Sequence, residues 1–314
     1  MAVTAAPATV RRRALAPPSR VPDLSGWLFL VPALIFFIGW QAYPILRVLW
    51  LSFTSFRFLG QAPTQFVGLA NYAVALTDPM VWLGLGRAAI FTILFLPGTI
   101  FIPLVLAVLI DRVSSPFLAT LYRVILLIPA VIPGALVFVL WKWLYNFNIG
   151  PINYLLVDVL RVVSEQAAPQ WLGNPWLVLP AIAVMEIWWG LGYHTLFFLA
   201  GLASIPKDLF EAARVDGASE WNMFWRVTIP RLRPILLVLT VLRFGTAMAV
   251  IDEYLILGGF NRELPTYSWT VYMWDLAFQL GDWPQGYAAA VGWIGTLCML
   301  VVVGGLFWVF RPQD

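Results

Sequence analysis

The chain is poor in the residues on which a soluble catalyst depends. Charged residues fill 11% of its 314 positions, cysteine and histidine occur once each, and lysine stands only at Lys142 and Lys207. A single Cys298 excludes an intrachain disulfide or a thiolate metal cluster, and packing is its expected role. His194 has no second histidine or cysteine at ligand spacing, so a packed or hydrogen-bonded imidazole is expected rather than a metal ligand. No G-x-x-x-x-G-K-S/T phosphate loop is present. Asp216 and Glu220 lie four apart without a nucleophile or metal motif near them, and they do not read as catalytic. The net charge of +3 does not suggest a nucleic-acid partner.

Apolar side chains are in excess, at 61% against roughly 45–50% for soluble domains. The expected fold class is therefore an all-α polytopic membrane protein. Crossing about 30 Å of hydrocarbon takes roughly 20 helical residues. Six runs meet that length, near 26–50, 88–110, 121–145, 176–202, 235–257 and 288–310. Pro32, Pro44, Pro97, Pro103, Pro129, Pro133 and Pro180 fall inside them and are expected as kinks, which neighbouring helices tolerate by satisfying the freed carbonyls. Trp27, Trp50, Trp82, Trp171, Trp176 and Trp308 are expected as interfacial anchors.

Lys and Arg accumulate in cytoplasmic loops. With the N-terminus inside, twelve basic residues fall on that side and six on the other, leaving Arg243 within a span, so both termini are expected in the cytoplasm. Residues 1–25, with Pro7, Pro17, Pro18, Pro22 and Arg11 to Arg13, read as a disordered cytoplasmic tail, and 26–314 as one six-span domain. The run after the tail is too long for a signal-peptide core of about 7–15 residues. The outer loops, 51–87, 146–175 and 258–287, are too modest to suggest an independent domain.

Between the fourth and fifth runs lies a polar island, 204–234. Ser204 and Pro206 are start signals for a helix whose Leu209, Ala212 and Ala213 would form a small flat surface. Lys207 with Glu211, and Glu211 with Arg214, are at spacings that allow ion pairs on its wet side. Gly217 permits a sharp turn into a second short helix over 219–227. A short helix presenting alanines suits a groove on a partner protein.

Glu211, Ala212, Ala213, Gly217, Pro230 and Pro234, with Asp216, Ala218, Phe224 and Ile229, closely resemble the EAA coupling loop of binding-protein-dependent ABC importer permeases. Phe66 to Tyr72, FVGLANY, resembles a segment of the sugar permeases in that family. Tyr43, Pro44, Arg123, Pro129, Pro133, Trp141, Gly150, Asn153, Trp188, Gly192, the run from Leu199 to Pro206, Asp252, Tyr254, Gly258 and Gly259 fit its maltose type. The pattern departs at Phe260, where GGP is common, and over 261–267.

The resemblance implies a half-permease in a prokaryotic cell membrane, pairing with a second permease subunit. It would insert its coupling helix, through Glu211, Ala212, Ala213, Asp216, Gly217 and Ala218, into a cytoplasmic ATPase dimer, and receive solute from an extracytoplasmic solute-binding protein. No cofactor is expected on this chain, since ATP and Mg would bind the partner ATPase.

Polar residues where lipid would penalise them are candidate solute contacts. Glu186 is the clearest, because a mid-bilayer carboxylate costs about 2.5–3.5 kcal/mol unless it faces water or a partner. Trp189, Gly190, Tyr193 and Phe197 continue its stripe, and a carboxylate beside aromatic rings suits a sugar. A structural role, in which Glu186 pairs with Arg243 or with a backbone group between helices, is nearly as well supported. Asp252, Glu253 and Trp141 are weaker candidates. A carbohydrate, in particular an oligosaccharide, is the expected solute, with a glycerol-phosphate-type solute as the alternative. An ion-driven carrier or a membrane-embedded enzyme would leave the 204–234 island unexplained.

Overall fold

The computed structural model describes residues 24–60 and 62–309. The tail expected over 1–25 lies almost wholly outside them, and Leu24 already belongs to a helix. The chain divides into two compact units, one ending at Arg47 and the other beginning at Val48. In the first, α1 (Leu24–Phe37) passes through a π turn, Ile38–Ala42, into the start of α2 (Tyr43–Ser52). Pro44 explains that turn. It has no N–H for Trp40, and the neighbouring Tyr43 N–H reaches back five residues to the Ile38 carbonyl.

The second unit is helical among the described residues, apart from an isolated antiparallel bridge between Thr54 and Phe66. In chain order it comprises α3 (Ala70–Thr77), α4 (Pro79–Asp111), α5 (Pro116–Val131), α6 (Gly134–Leu144), α7 (Pro151–Tyr154) and α8 (Val178–Ala203). There follow α9 (Lys207–Val215), α10 (Glu220–Met223), α11 (Ile229–Met248), α12 (Asp252–Leu257), α13 (Trp269–Phe278) and α14 (Gln285–Val309). By length and composition, Leu28–Ser52, α4, α8 and α14 could each cross a membrane, as could the α5–α6 pair if it is one crossing. The other long helix, α11, carries Arg231, Arg233 and Arg243 within its 20 residues and falls outside that group.

Helix α4 is the spine of this unit. Its 33 residues extend about 50 Å, and it packs most extensively along α8, then against α11 and α13. The apolar run alone suggested a start near residue 88, but the helix begins nine residues earlier, because Asp78 caps the Met80 N–H at 2.8 Å and Pro79 occupies the first turn. Helix α8 also lies against α5, in backbone contact at Gly192, where a β-carbon would stand 2.1 Å from the Leu126 carbonyl oxygen.

Two expected spans are broken. The run 121–145 is not a kinked helix but two helices meeting at 92°. Pro133 forces Ile132 to an extended conformation, φ −74° and ψ 128°, which stops α5. The Trp189 indole N–H, from α8, donates to the half-buried Ile132 carbonyl, freed by the break, at 3.1 Å. The run 235–257 likewise ends its helix at Met248 and resumes as α12. There Trp269 Nε1 donates to the Met248 carbonyl at 2.8 Å and Thr270 Oγ1 to that of Val250 at 2.5 Å. Lys142 Nζ serves the Ile256 carbonyl in α12 at 2.7 Å. In each case a side chain distant in sequence replaces the missing helical donor.

The loops expected on the outer side at 51–87 and 258–287 meet at one end of the bundle. Arg57 pairs with Asp282 at 3.0 Å, the Phe58 N–H donates to the Trp283 carbonyl at 3.1 Å, and the Gly286 N–H to that of Phe56 at 2.9 Å. Within FVGLANY, Asn71 Nδ2 donates to the carbonyls of Ser52 and Thr54, both at 2.8 Å, so the segment staples its loop to the end of α2. Of the expected anchors, Trp50, Trp82, Trp176 and Trp308 are exposed, whereas Trp171 donates to Asn153 Oδ1 at 2.8 Å inside the second outer loop.

Asp78 ties three helices at this end, since Tyr272 from α13 and Tyr287 from α14 both donate to its Oδ2 at 2.6 Å. Partial burial pushes the carboxyl up, but these hydroxyls and the Met80 N–H outweigh it and hold the group below its usual 3.8. A pKa lowered by folding gives stability that is full above the ordinary carboxylate range and is lost as pH falls through the depressed value. Thermal unfolding of the detergent-solubilised complex should therefore show Asp78→Asn less stable than the parent at neutral pH. The difference should shrink as the medium is acidified below about pH 4.

Candidate functional site: a docking loop and a buried polar cluster

The 204–234 island folds as a helix, a left-handed turn and a second short helix. Helix α9 is anchored by Leu209 and Phe210, which pack on the apolar cluster of Ile100, Leu104, Phe198, Leu202 and Leu232. Leu209 is thus an anchor rather than part of the outward surface. Glu211, Ala212 and Asp216 are exposed, Ala213 and Ala218 are half-buried, and Val215 is 88% exposed. Such exposure of a branched apolar residue makes Val215 the most prominent knob of the element. Nothing in the sequence pattern around the alanines singles Val215 out, because an isolated valine in a polar helix reads equally well as buried.

The turn is a Schellman motif. The Ala218 N–H donates to the Ala213 carbonyl at 2.9 Å and the Gly217 N–H to that of Arg214 at 3.0 Å, with Gly217 at φ +75°. Only glycine adopts this conformation without strain. Ser219 then accepts from the Asn222 N–H at 3.3 Å and starts α10. The second helix expected over 219–227 is α10 followed by a π turn, Phe224–Thr228, which precedes Pro230 as the first π turn precedes Pro44.

Two local expectations fail. Ser204 does not cap α9 but donates to the Gly201 carbonyl at 2.7 Å, ending α8. Glu211 has no ion pair with Lys207 or Arg214 among the described residues. Arg214 instead pairs with Glu220 at 3.7 Å, across the turn, and Arg112 at the end of α4 meets the same carboxylate at 2.6 Å. The second contact places the α4–α5 connection and the 204–234 loop at one end of the bundle.

Within the bundle, α8, α11 and α12 bring together Glu186, Arg243, Glu253 and Tyr254, while α4 supplies Thr99 beside His194. Glu186 is 7% exposed, and His194 and Tyr254 are each 1% exposed. Glu186, Glu253 and Arg243 lie close enough to act on one another's charge. No Glu186–Arg243 ion pair within 4 Å occurs among the described residues, so the expected structural pairing is not a direct salt bridge. His194 Nδ1 lies 3.5 Å from Thr99 Oγ1, while Glu186 Oε1, His194 Nε2 and the Tyr254 hydroxyl have no hydrogen-bond partner among the described residues. Buried polar atoms left so cost about 1–3 kcal/mol each, which marks the cluster as a place where other polar groups are accommodated.

The expected stripe of α8 is only partly assembled. Tyr193, 51% exposed, packs edge-on against Phe197 and neighbours Arg243, whereas Trp189 is turned toward the Ile132 carbonyl and the Phe138 ring. Trp141 belongs to a separate aromatic group with Trp188 and Tyr145. Asp252 is exposed, and its neighbour Glu253 points inward to Glu186. Trp189→Phe retains a smaller aromatic ring and removes the indole donor. Thermal unfolding should show a loss of about 1–3 kcal/mol, the cost of an unsatisfied buried carbonyl.

Residues 99–311 match the family model described as a binding-protein-dependent transport system inner membrane component. The chain is 32% identical to the sulfoquinovosyl glycerol transport system permease protein of Agrobacterium fabrum, over 91% of this chain and 90% of that one. It is 29% identical to the lactose transport system permease protein of Rhizobium radiobacter, over 98% and 99%. A solved structure with the same fold is that of a bacterial ABC transporter involved in the import of the acidic polysaccharide alginate, with a TM-score of 0.79 and 22% identity over 93% of this chain and 96% of that one.

Proposed function

Since this chain belongs to the family of binding-protein-dependent transport system inner membrane components, we propose that it is the permease half of an ATP-driven importer that admits a neutral oligosaccharide. Six crossings, with α11 as the sixth, would leave both termini on one side, and the excess of basic residues there supports a cytoplasmic side for them and for the 204–234 loop. The chain pairs with a second permease subunit, receives solute from an extracytoplasmic binding protein, and docks α9 on a cytoplasmic ATPase dimer. ATP and Mg bind that partner, in keeping with the lack of a phosphate loop here.

One observation carries the coupling role: a helix seated on the core by Leu209 and Phe210, turned back by Gly217, and presenting Glu211, Ala212, Val215 and Asp216 outward. An apolar knob ringed by exposed polar side chains is suited to a groove in a partner. ATP-driven closure of the ATPase would displace this element and reorient the helices attached to it.

For the solute, the buried carboxyl pair of Glu186 and Glu253 supplies acceptors for sugar hydroxyls, and Tyr193 offers a ring face. Trp141, Trp189 and Asp252 would contribute only if the helices reorient, since each is engaged elsewhere or exposed. Lys142, the one lysine near the outer end of the path, is committed to the Ile256 carbonyl, which disfavours a phosphorylated solute. The names of the lactose and sulfoquinovosyl glycerol permeases support a carbohydrate class.

The test is ATPase activity of the purified complex, with partner permease, ATPase and receptor, against a panel of saccharides and phosphorylated polyols. A saccharide should stimulate hydrolysis, and stimulation by a phosphorylated polyol alone would overturn the solute assignment. With the stimulating sugar, Glu186→Gln should lower uptake several-fold, as expected for the loss of one buried hydrogen bond. Gly217→Val meets no neighbour within 4 Å but strains the left-handed turn. It should abolish uptake at unchanged membrane insertion, and parental uptake at equal expression would count against the coupling role.

A further inference from the structure

Glu220 is the point at which two arginines from separate elements converge. Arg112 caps α4, Arg214 lies in the last turn of α9, and both reach the Glu220 carboxylate, at 2.6 and 3.7 Å. All three side chains are about half exposed, and solvated pairs of this kind contribute only about 0–1 kcal/mol to stability. Holding the fold together is therefore a poor account of the arrangement.

Connectivity suggests another. A displacement of the docking loop reaches α8 through the backbone at Ser204–Pro206, and α11 through the π turn at Phe224–Thr228. Helix α4 has no such covalent link to the loop. It touches the loop across a cavity of about 220 Å³, whose lining includes Val108, Arg112, Phe210, Glu220 and Phe224. The apolar members of that wall, like the packing of Leu209 and Phe210 on Ile100 and Leu104 of the same helix, give a non-directional contact, whereas the charge contact at Glu220 fixes distance and direction. Helix α4 runs from this contact to Asp78 at the opposite end of the bundle.

We propose that Glu220 is a positioning residue for energy coupling: through Arg112 it makes α4 follow the docking loop, so that movement imposed by the ATPase reaches the outer end of the bundle. The proposal rests on the coupling role assigned above. It differs from docking itself, since Glu220 acts on this chain's own helix rather than on the partner.

The experiment is a double-mutant cycle in the assembled complex, with Glu220→Gln, Arg112→Gln and both together. It reads solute delivered per ATP hydrolysed, together with co-purification of the subunits. Each single variant should lower the delivered solute per ATP at least about fivefold, the lower range of allosteric couplings, and the double variant should be no worse than either. A parental ratio in Glu220→Gln overturns the proposal, as do losses that multiply in the double variant. If Glu220→Gln fails to assemble, Arg112→Gln alone decides, because it probes the same contact from α4 without altering the docking loop. Gly217→Val is measured in parallel. If that variant also transports normally the coupling reading itself fails, whereas a collapse in Gly217→Val alone removes only the role of Glu220.

Discussion

Inside hydrocarbon a carbonyl released from its helix has no water to turn to, and the second unit is organised around that constraint. Its breaks fall at Ile132–Pro133 and at Ala249–Ile251, and neither is left to solvent. Trp189, Trp269 and Thr270 donate to the freed carbonyls, and Lys142 adds a fourth such contact in α12. These side chains join α8 to the α5–α6 corner, α13 to the end of α11, and α6 to α12. The irregular backbone that a solute path needs is thereby also what locks the helices in register.

Features decided by neighbouring residues were legible in the sequence, and features decided by distant partners were not. Gly217 specifies its turn locally, so the helix–turn–helix of the docking loop could be read directly. The start of α4 was equally available in Asp78–Pro79, but the hydrophobic run drew attention to residue 88 and the capping signal was passed over. The break after Met248 could not be foreseen, because its donors, Trp269 and Thr270, lie about twenty residues on. Once that helix is broken its phase is lost, and nothing in the pair Asp252–Glu253 says which carboxyl turns inward. The same reasoning explains Trp189: spacing put it on the stripe of Glu186, but only the bend at Pro133 reveals a carbonyl for its indole.

The two candidate sites stand under opposite physical regimes. In the polar cluster, desolvation makes each unpartnered oxygen or nitrogen expensive, so a few atoms of Glu186, His194 and Tyr254 carry much of the chemistry. In the 204–234 loop, charges are solvated and add little to stability, so they serve direction rather than cohesion, while shape comes from the left-handed turn, the seated Leu209 and Phe210, and the protruding Val215. Specific solute recognition suits the former environment. A reversible mechanical contact suits the latter.

The π turns before Pro44 and Pro230 set a rotational phase as well as satisfying a backbone. One residue advances an α-helix by about 100°, so the extra residue accommodated in Phe224–Thr228 offsets the face of α10 from that of α11 by about that angle. The direction in which the docking loop faces, relative to the stripe of α11 that carries Arg243, is therefore encoded by a single inserted position. A homologous chain lacking that one residue would keep every motif and every helix, yet would present its loop to a different quarter of the compass.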